Sequence, residues 1–124
     1  MVVAAGNESV KAKYATPANC PNAITVGSIG RTGQRSYFSN YGALVDIAAP
    51  GEEIMSTIDQ SYTSASASAF DYSEYEGTSM AAPGAAGSLL LLQELAHRFI
   101  LNGAPRVLKS ATLKGLAIHT ANEA

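Results

Sequence analysis

Gly77-Thr78-Ser79 stands directly before Met80–Leu92 (MAAPGAAGSLLLL), a stretch too apolar for a surface, with almost only small residues in its first turns. A serine there has an ordinary use, because Ser and Thr cap helices by accepting a bond from an unpaired backbone N–H. A second use follows from the surroundings. A buried helix reached through glycine brings partly positive N–H groups and a hydroxyl to one point. Such a point suits a nucleophile and the oxyanion formed when it attacks a carbonyl. It equally suits a bound phosphate or a plainly capped helix, and composition does not choose among the three.

The elements that must position this turn read as α/β. Val2–Ala5 and Ala23–Ile29 are short apolar runs ended by Gly6-Asn7 and Gly30; Ala43–Gly51 is a third, closed by Pro50-Gly51, and Glu53–Ile58 alternates as a fourth strand. Continuous apolar runs suit the strands of a parallel sheet with helices packed over it. Ser79 to about Phe99 predicts one long, deeply buried helix, with Pro83 early enough for its missing N–H to cost little and Asn102-Gly103 as the stop. Ser110–Thr120, with Leu113, Leu116 and Ala117 at helical spacing, predicts a second helix. Ser61–Ser73 (SYTSASASAFDYS) has little periodicity and reads as a surface loop or insertion.

With 124 residues, the chain suffices for one domain or a piece of one. Its net charge is −2 and its eight Lys and Arg are dispersed, which gives no footprint for nucleic acid. The single Cys20 excludes an internal disulfide, and no zinc-ligand spacing exists. The N-terminal run lacks a cationic lead and soon meets Asn7 and Glu8, so it reads as a strand entering a turn rather than a signal peptide. The apolar run Ala81–Leu92, interrupted by Pro83, Gly84 and Gly87, is too short to span a membrane.

The residues themselves resemble a family. GTSMAAP, Gly77–Pro83, is similar to the nucleophile motif of the subtilisin-like serine proteases (subtilases, peptidase S8). Further stretches agree in order and rough spacing: VVAAGN (Val2–Asn7), YATPANCPNAITVGSI (Tyr14–Ile29), SYFSNYG (Ser36–Gly42), VDIAAPGEEIMST (Val45–Thr57) and SATLKGLAIHTANEA at the end. The resemblance covers nearly the whole chain. It implies the C-terminal part of one catalytic domain with a subtilisin-like fold, incomplete on its N-terminal side.

In the residues that match, the resemblance implies Ser79 as the nucleophile, its own N–H as one oxyanion donor and the Asn7 side chain as the other. Ala4, Ala5 and Gly6 match a wall of the pocket for the side chain before the scissile bond, and Gly77 and Thr78 complete the substrate-binding turn. In some family members a loop like Tyr14–Ala23 holds a structural Ca²⁺ or Na⁺. The matching ligands are backbone carbonyls around Ala18, Pro21 and Ala23 and the Asp46 carboxylate, hard oxygen donors suited to hard cations. No cofactor is required. Peptide or protein is the implied substrate, and secretion of the parent protein is expected from the family alone.

Two departures matter. Gly84 follows the motif proline where many members have a histidine, and with Gly87–Gln93 (GSLLLLQ) it resembles a branch of large secreted bacterial enzymes. The Asp and His that complete the family's triad match nothing here. His97 lies 18 residues beyond Ser79 on the same predicted helix, ~27 Å away at 1.5 Å per residue. His119 falls in the closing helix, and Asp46, Asp59 and Asp71 match no catalytic position. The isolated chain is therefore expected to be inactive. Readings besides a piece of an endopeptidase are a non-catalytic remnant that binds a peptide or partner chain, and one half of a split protease completed by the missing N-terminal part.

Overall fold

Three short parallel strands, β1 (Val2–Ala4), β2 (Ile24–Ile29) and β3 (Ile47–Pro50), lie in the order β1-β2-β3 in the computed structural model, which describes residues 1–58, 72–98 and 107–121. Val3 is level with Thr25, and Gly27 with Ala48. β2 is central and buried from Ile24 to Ser28, as its continuous apolar run requires. The helix α1 (Thr78–Arg98) lies across all three strands, and α2 (Ser110–Thr120) packs beside it. The architecture is the expected α/β one, a parallel sheet with packed helices.

Small side chains set how closely helix and sheet approach. Ala81 and Ala85, four residues apart and so on one face of α1, meet Val26 and Ala49 in the main core cluster. Leu89, one turn further, joins Ile24 and Ala117 of α2 in a second. Burying a side chain such as Val26 is worth roughly 1.5–3 kcal/mol, so the alanine methyls serve chiefly by letting the larger sheet residues be covered.

β1 is shorter than β2, and its place along the outer half of β2 is taken by the segment that carries Ser36 and Ser39. The Ser28 N–H donates to Ser39 Oγ at 3.0 Å, and the Ser28 carbonyl accepts the Ser36 N–H at 2.9 Å. The buried Ser28 and Ser36 hydroxyls meet at 2.7 Å. The segment 36–40 is thereby fastened to the sheet without being a strand.

Three expectations need correction. The run Ala43–Gly51 is a strand only over Ile47–Pro50, because Val45 N–H turns back to the Gly42 carbonyl and Ala43 and Leu44 stay exposed. Tyr72 and Ser73, read as the end of a loop, belong to β5 (Tyr72–Tyr75), which pairs antiparallel with β4 (Ile54–Thr57). The rest of that loop, the helix stop Asn102-Gly103 and Phe99 lie outside the described residues. Finally, α1 is not buried all round. Thr78, Ala81, Ala85 and Leu89 are buried, whereas Leu90 and Leu91 are 69 % and 71 % exposed. A single sheet covers a single helix face.

Candidate active site

The carboxyl ends of β1 and β3 converge on the start of α1, the region where parallel α/β sheets hold their sites. From β1 the chain enters a turn through Gly6, at φ +101°, where a side chain would collide with the amide of Asn40. Asn40 is 1 % exposed and holds that turn from inside. Its Oδ1 accepts the N–H groups of Glu8 at 3.1 Å and Val10 at 3.0 Å. Its Nδ2 donates to the Ala5 carbonyl at 2.9 Å and to Glu8 Oε2 at 2.8 Å, and its own N–H reaches the Gly6 carbonyl at 2.9 Å. Each amide hydrogen and both oxygen lone pairs are used.

The end of β3 fixes the other half. Gly51 N–H donates to Ile29, and the Gly51 carbonyl accepts the Gly77 N–H at 2.8 Å. A Cβ on Gly51 would lie 2.7 Å from the Gly77 carbonyl and strike the Ser28 hydroxyl, so only glycine lets the two backbones meet. Gly77, at φ +149°, then turns the chain into α1, and its carbonyl accepts from Met80 at 3.0 Å and Ala81 at 3.3 Å.

Asn7 and Thr78 join the halves. Asn7 Oδ1 accepts the Thr78 backbone N–H at 2.9 Å and the Thr78 hydroxyl at 2.8 Å, while Thr78 Oγ1 accepts the Gly6 N–H at 3.1 Å. A backbone N–H can only donate, so the atom facing it must be the amide oxygen, which leaves Nδ2 as the outward donor. A Cβ on Gly77 would lie 3.2 Å from that Nδ2. Ser79 follows, exposed, in the first turn of α1, where backbone N–H groups have no partner within the helix. An exposed hydroxyl, the unpaired N–H groups of a helix start and, one residue away, an amide bonded to Thr78 thus lie at one end of α1, the kinds of group that attack on a carbonyl with stabilisation of the oxyanion requires.

Among the other predicted site residues, Ala4 and Gly6 are half-buried and Gly77 is buried. Ala5 and Thr78 are 0 % exposed, so their side chains pack beneath the turn. His97 is on α1 and His119 on α2, and Asp59 and Asp71 lie outside the described residues.

Two of the ligands expected to hold a cation, the Ala23 carbonyl and Asp46, meet the Lys114 ammonium. The Ala18 carbonyl accepts the Thr25 hydroxyl at 2.9 Å. The Ala23 carbonyl and Asp46 Oδ2 each lie 2.8 Å from Lys114 Nζ, and Asp46 Oδ2 also accepts the Thr25 N–H at 2.9 Å. Pro21 is exposed at the same cleft, of about 310 Å³. A Ca²⁺ or Na⁺ would have to displace the ammonium, so the donor set with Lys114 seated does not fit a metal ion. Among the described residues no group of three or more His, Cys, Asp or Glu could hold one, and no helix is long and apolar enough to cross a membrane.

Sequence reasoning missed Asn40 and Lys114. Asn40 sits inside a stretch quoted only for its likeness, SYFSNYG, and a buried Asn has no periodic signature. Lys114 looks like an ordinary exposed position of an amphipathic helix.

Comparison with known proteins gives the family and the fold. The parallel sheet with a helix packed across it, and a serine in that helix's first turn, place the chain in the α/β class. The chain matches the Subtilase family over residues 1–124 and belongs to it. It is 36 % identical over 116 residues to an extracellular protease of Xanthomonas campestris pv. campestris, covering 94 % of this chain and 20 % of that protein. Among solved structures it resembles a cold-adapted subtilisin-like serine proteinase (TM-score 0.74, 35 % identity, 97 % of this chain and 37 % of the other). It also resembles proteases from Pseudoalteromonas arctica (TM-score 0.80, 32 % identity, 98 % and 35 %). The chain therefore spans about a fifth of that relative and about a third of those structures.

Proposed function

We propose that this chain carries the nucleophile and the oxyanion hole of a secreted serine endopeptidase. Ser79 Oγ attacks the scissile carbonyl carbon, and its proton passes to a base outside this segment. The carbonyl oxygen becomes an oxyanion held by the Ser79 N–H and Asn7 Nδ2. Collapse expels the amine, which takes the proton, and water then hydrolyses the acyl-enzyme. The observation that carries this reading is the pair of hydrogen bonds that Asn7 Oδ1 accepts from Thr78, the residue adjoining Ser79, which leaves the amide's Nδ2 as a donor.

The base and the carboxylate that orients it have to come from other polypeptide. His97, 18 residues along the helix from Ser79, is ~27 Å away. The same segment alone is therefore inactive. Labelling with a fluorophosphonate tests both statements. The full-length protein should be modified on the peptide containing Ser79, with labelling and peptide hydrolysis lost in Ser79→Ala, and residues 1–124 alone should take up no label. Hydrolysis that survives Ser79→Ala, or labelling of a different serine, rejects the assignment.

A further inference from the structure

Lys114 reaches from α2 to the ends of two strands. Its Nζ donates to the Ala23 carbonyl, just before β2, and forms an ion pair with Asp46 Oδ2, just before β3, both at 2.8 Å. The same carboxylate oxygen accepts the Thr25 N–H at 2.9 Å, and Thr25 in turn closes the loop by donating its hydroxyl to Ala18. One ammonium thus holds the loop before β2, the entry to β3 and the second helix.

This ion pair differs from the others among the described residues. The Lys114 and Asp46 side chains are 31 % and 17 % exposed, against 84 % and 62 % for Arg31–Glu53 and 76 % and 53 % for Arg98–Glu94. Exposed pairs contribute little, whereas partly buried charges are less screened. A carbonyl and a carboxylate oxygen around one positive centre form the beginning of a hard-cation shell, yet Ca²⁺ needs six to eight oxygens. Here the Ala18 oxygen is engaged by Thr25, and a metal ion beside the ammonium would meet a like charge.

We propose that Lys114 is a built-in counter-cation. Its ammonium does for the loop around Ala18–Ala23 and for Asp46 what a bound Ca²⁺ or Na⁺ would do, and frees this part of the fold from metal ions in solution. Lysine suits the task, being a compact charge with three donors on a flexible stem. The inference does not depend on the protease reading.

Thermal unfolding of the full-length protein tests it, with EDTA compared against CaCl₂, and NaCl against choline chloride at equal ionic strength. Wild type and Asp46→Asn should show the same response to each metal ion, because Asp46 binds none. Lys114→Met should lower the midpoint in EDTA by roughly 2–4 °C and gain a Ca²⁺ or Na⁺ response larger than that of wild type. Adding Asp46→Asn to it should remove the gain. A Lys114→Met protein that loses stability without gaining a metal response has lost an ordinary ion pair, which overturns the proposal. If that variant does not fold, the comparison of wild type with Asp46→Asn decides: a wild-type metal response that Asp46→Asn abolishes overturns it, and equal responses support it.

Discussion

Asn7 and Thr78, 71 residues apart in sequence, are joined twice through one atom: Asn7 Oδ1 takes both the backbone N–H and the hydroxyl of Thr78. The amide therefore has two separable duties. Its oxygen caps the first turn of α1, and its nitrogen remains as the donor that the proposed mechanism assigns to the oxyanion.

Substitutions at Asn7 should separate these duties. Asn7→Asp keeps an acceptor for Thr78, with a negative charge favoured at a helix N-terminus, but has no donor for an oxyanion. In the full-length protein kcat should fall ~100- to 1,000-fold or more, with the midpoint of thermal unfolding nearly unchanged. Asn7→Leu should lose turnover to a similar degree and also lower the midpoint. Wild-type kcat in Asn7→Asp would remove Asn7 from the oxyanion hole.

Thr78 is fully buried, and its hydroxyl both donates to Asn7 and accepts from Gly6. Thr78→Val preserves the shape but leaves the Gly6 N–H without an acceptor, a loss of about 1–3 kcal/mol of stability. Thr78→Ser keeps both bonds and should stay near wild type in urea unfolding. Turnover should follow the same order, since the hydroxyl fixes the turn that carries Asn7. Equal stability of Val and Ser variants would show that water satisfies these groups.

The first four strands, both helices and the turn before α1 were legible in the sequence because each has a local signal. Apolar runs ended by Gly or Pro mark the strands, and GTS before a small-residue run marks the turn. The precise strand limits were not, because Asp46 supplies a side-chain oxygen to Thr25 ahead of β3 and so continues the pairing where residue type suggests backbone. β5 was hidden for a related reason. Tyr72–Tyr75 is polar and aromatic, and only its pairing with Ile54–Thr57 makes it a strand. Asn40 and Lys114 act over 30 residues or more in sequence, and no local pattern records such partners.

Asn40 should respond to charge in a way that depends on Glu8. Asn40→Asp retains the acceptor for the Glu8 and Val10 N–H groups but sets a carboxylate against the Ala5 carbonyl and Glu8 Oε2. At neutral pH it should unfold at lower urea concentration than wild type by about 2–4 kcal/mol, the range for breaking a buried polar network. Glu8→Gln, which replaces one of the two opposed charges by a donor, should restore part of that loss. A double-mutant cycle with no coupling between the positions would mean that Asn40 acts through its backbone contacts alone.

The Tyr37 hydroxyl donates to Glu76 Oε1 at 2.7 Å, which fastens the residue before Gly77 to the segment that carries Asn40. The bond to Glu76 and then that carboxylate's charge hold the phenol neutral and raise its pKa above the ordinary 10.0, with smaller contributions from burial and Glu52. The folded protein therefore keeps a proton that the unfolded chain has already lost. The stability supplied by the bond is complete below pH 10.0 and is lost as pH rises through the higher folded value. Tyr37 is 72 % exposed, so the effect on unfolding is small and the phenolate absorbance is the sharper readout. In the full-length protein one tyrosine should ionise later than the ordinary value. That step should vanish in Tyr37→Phe and move back towards the ordinary value in Glu76→Gln. An ionisation curve unmoved by Glu76→Gln would show that the carboxylate does not hold the phenol in solution.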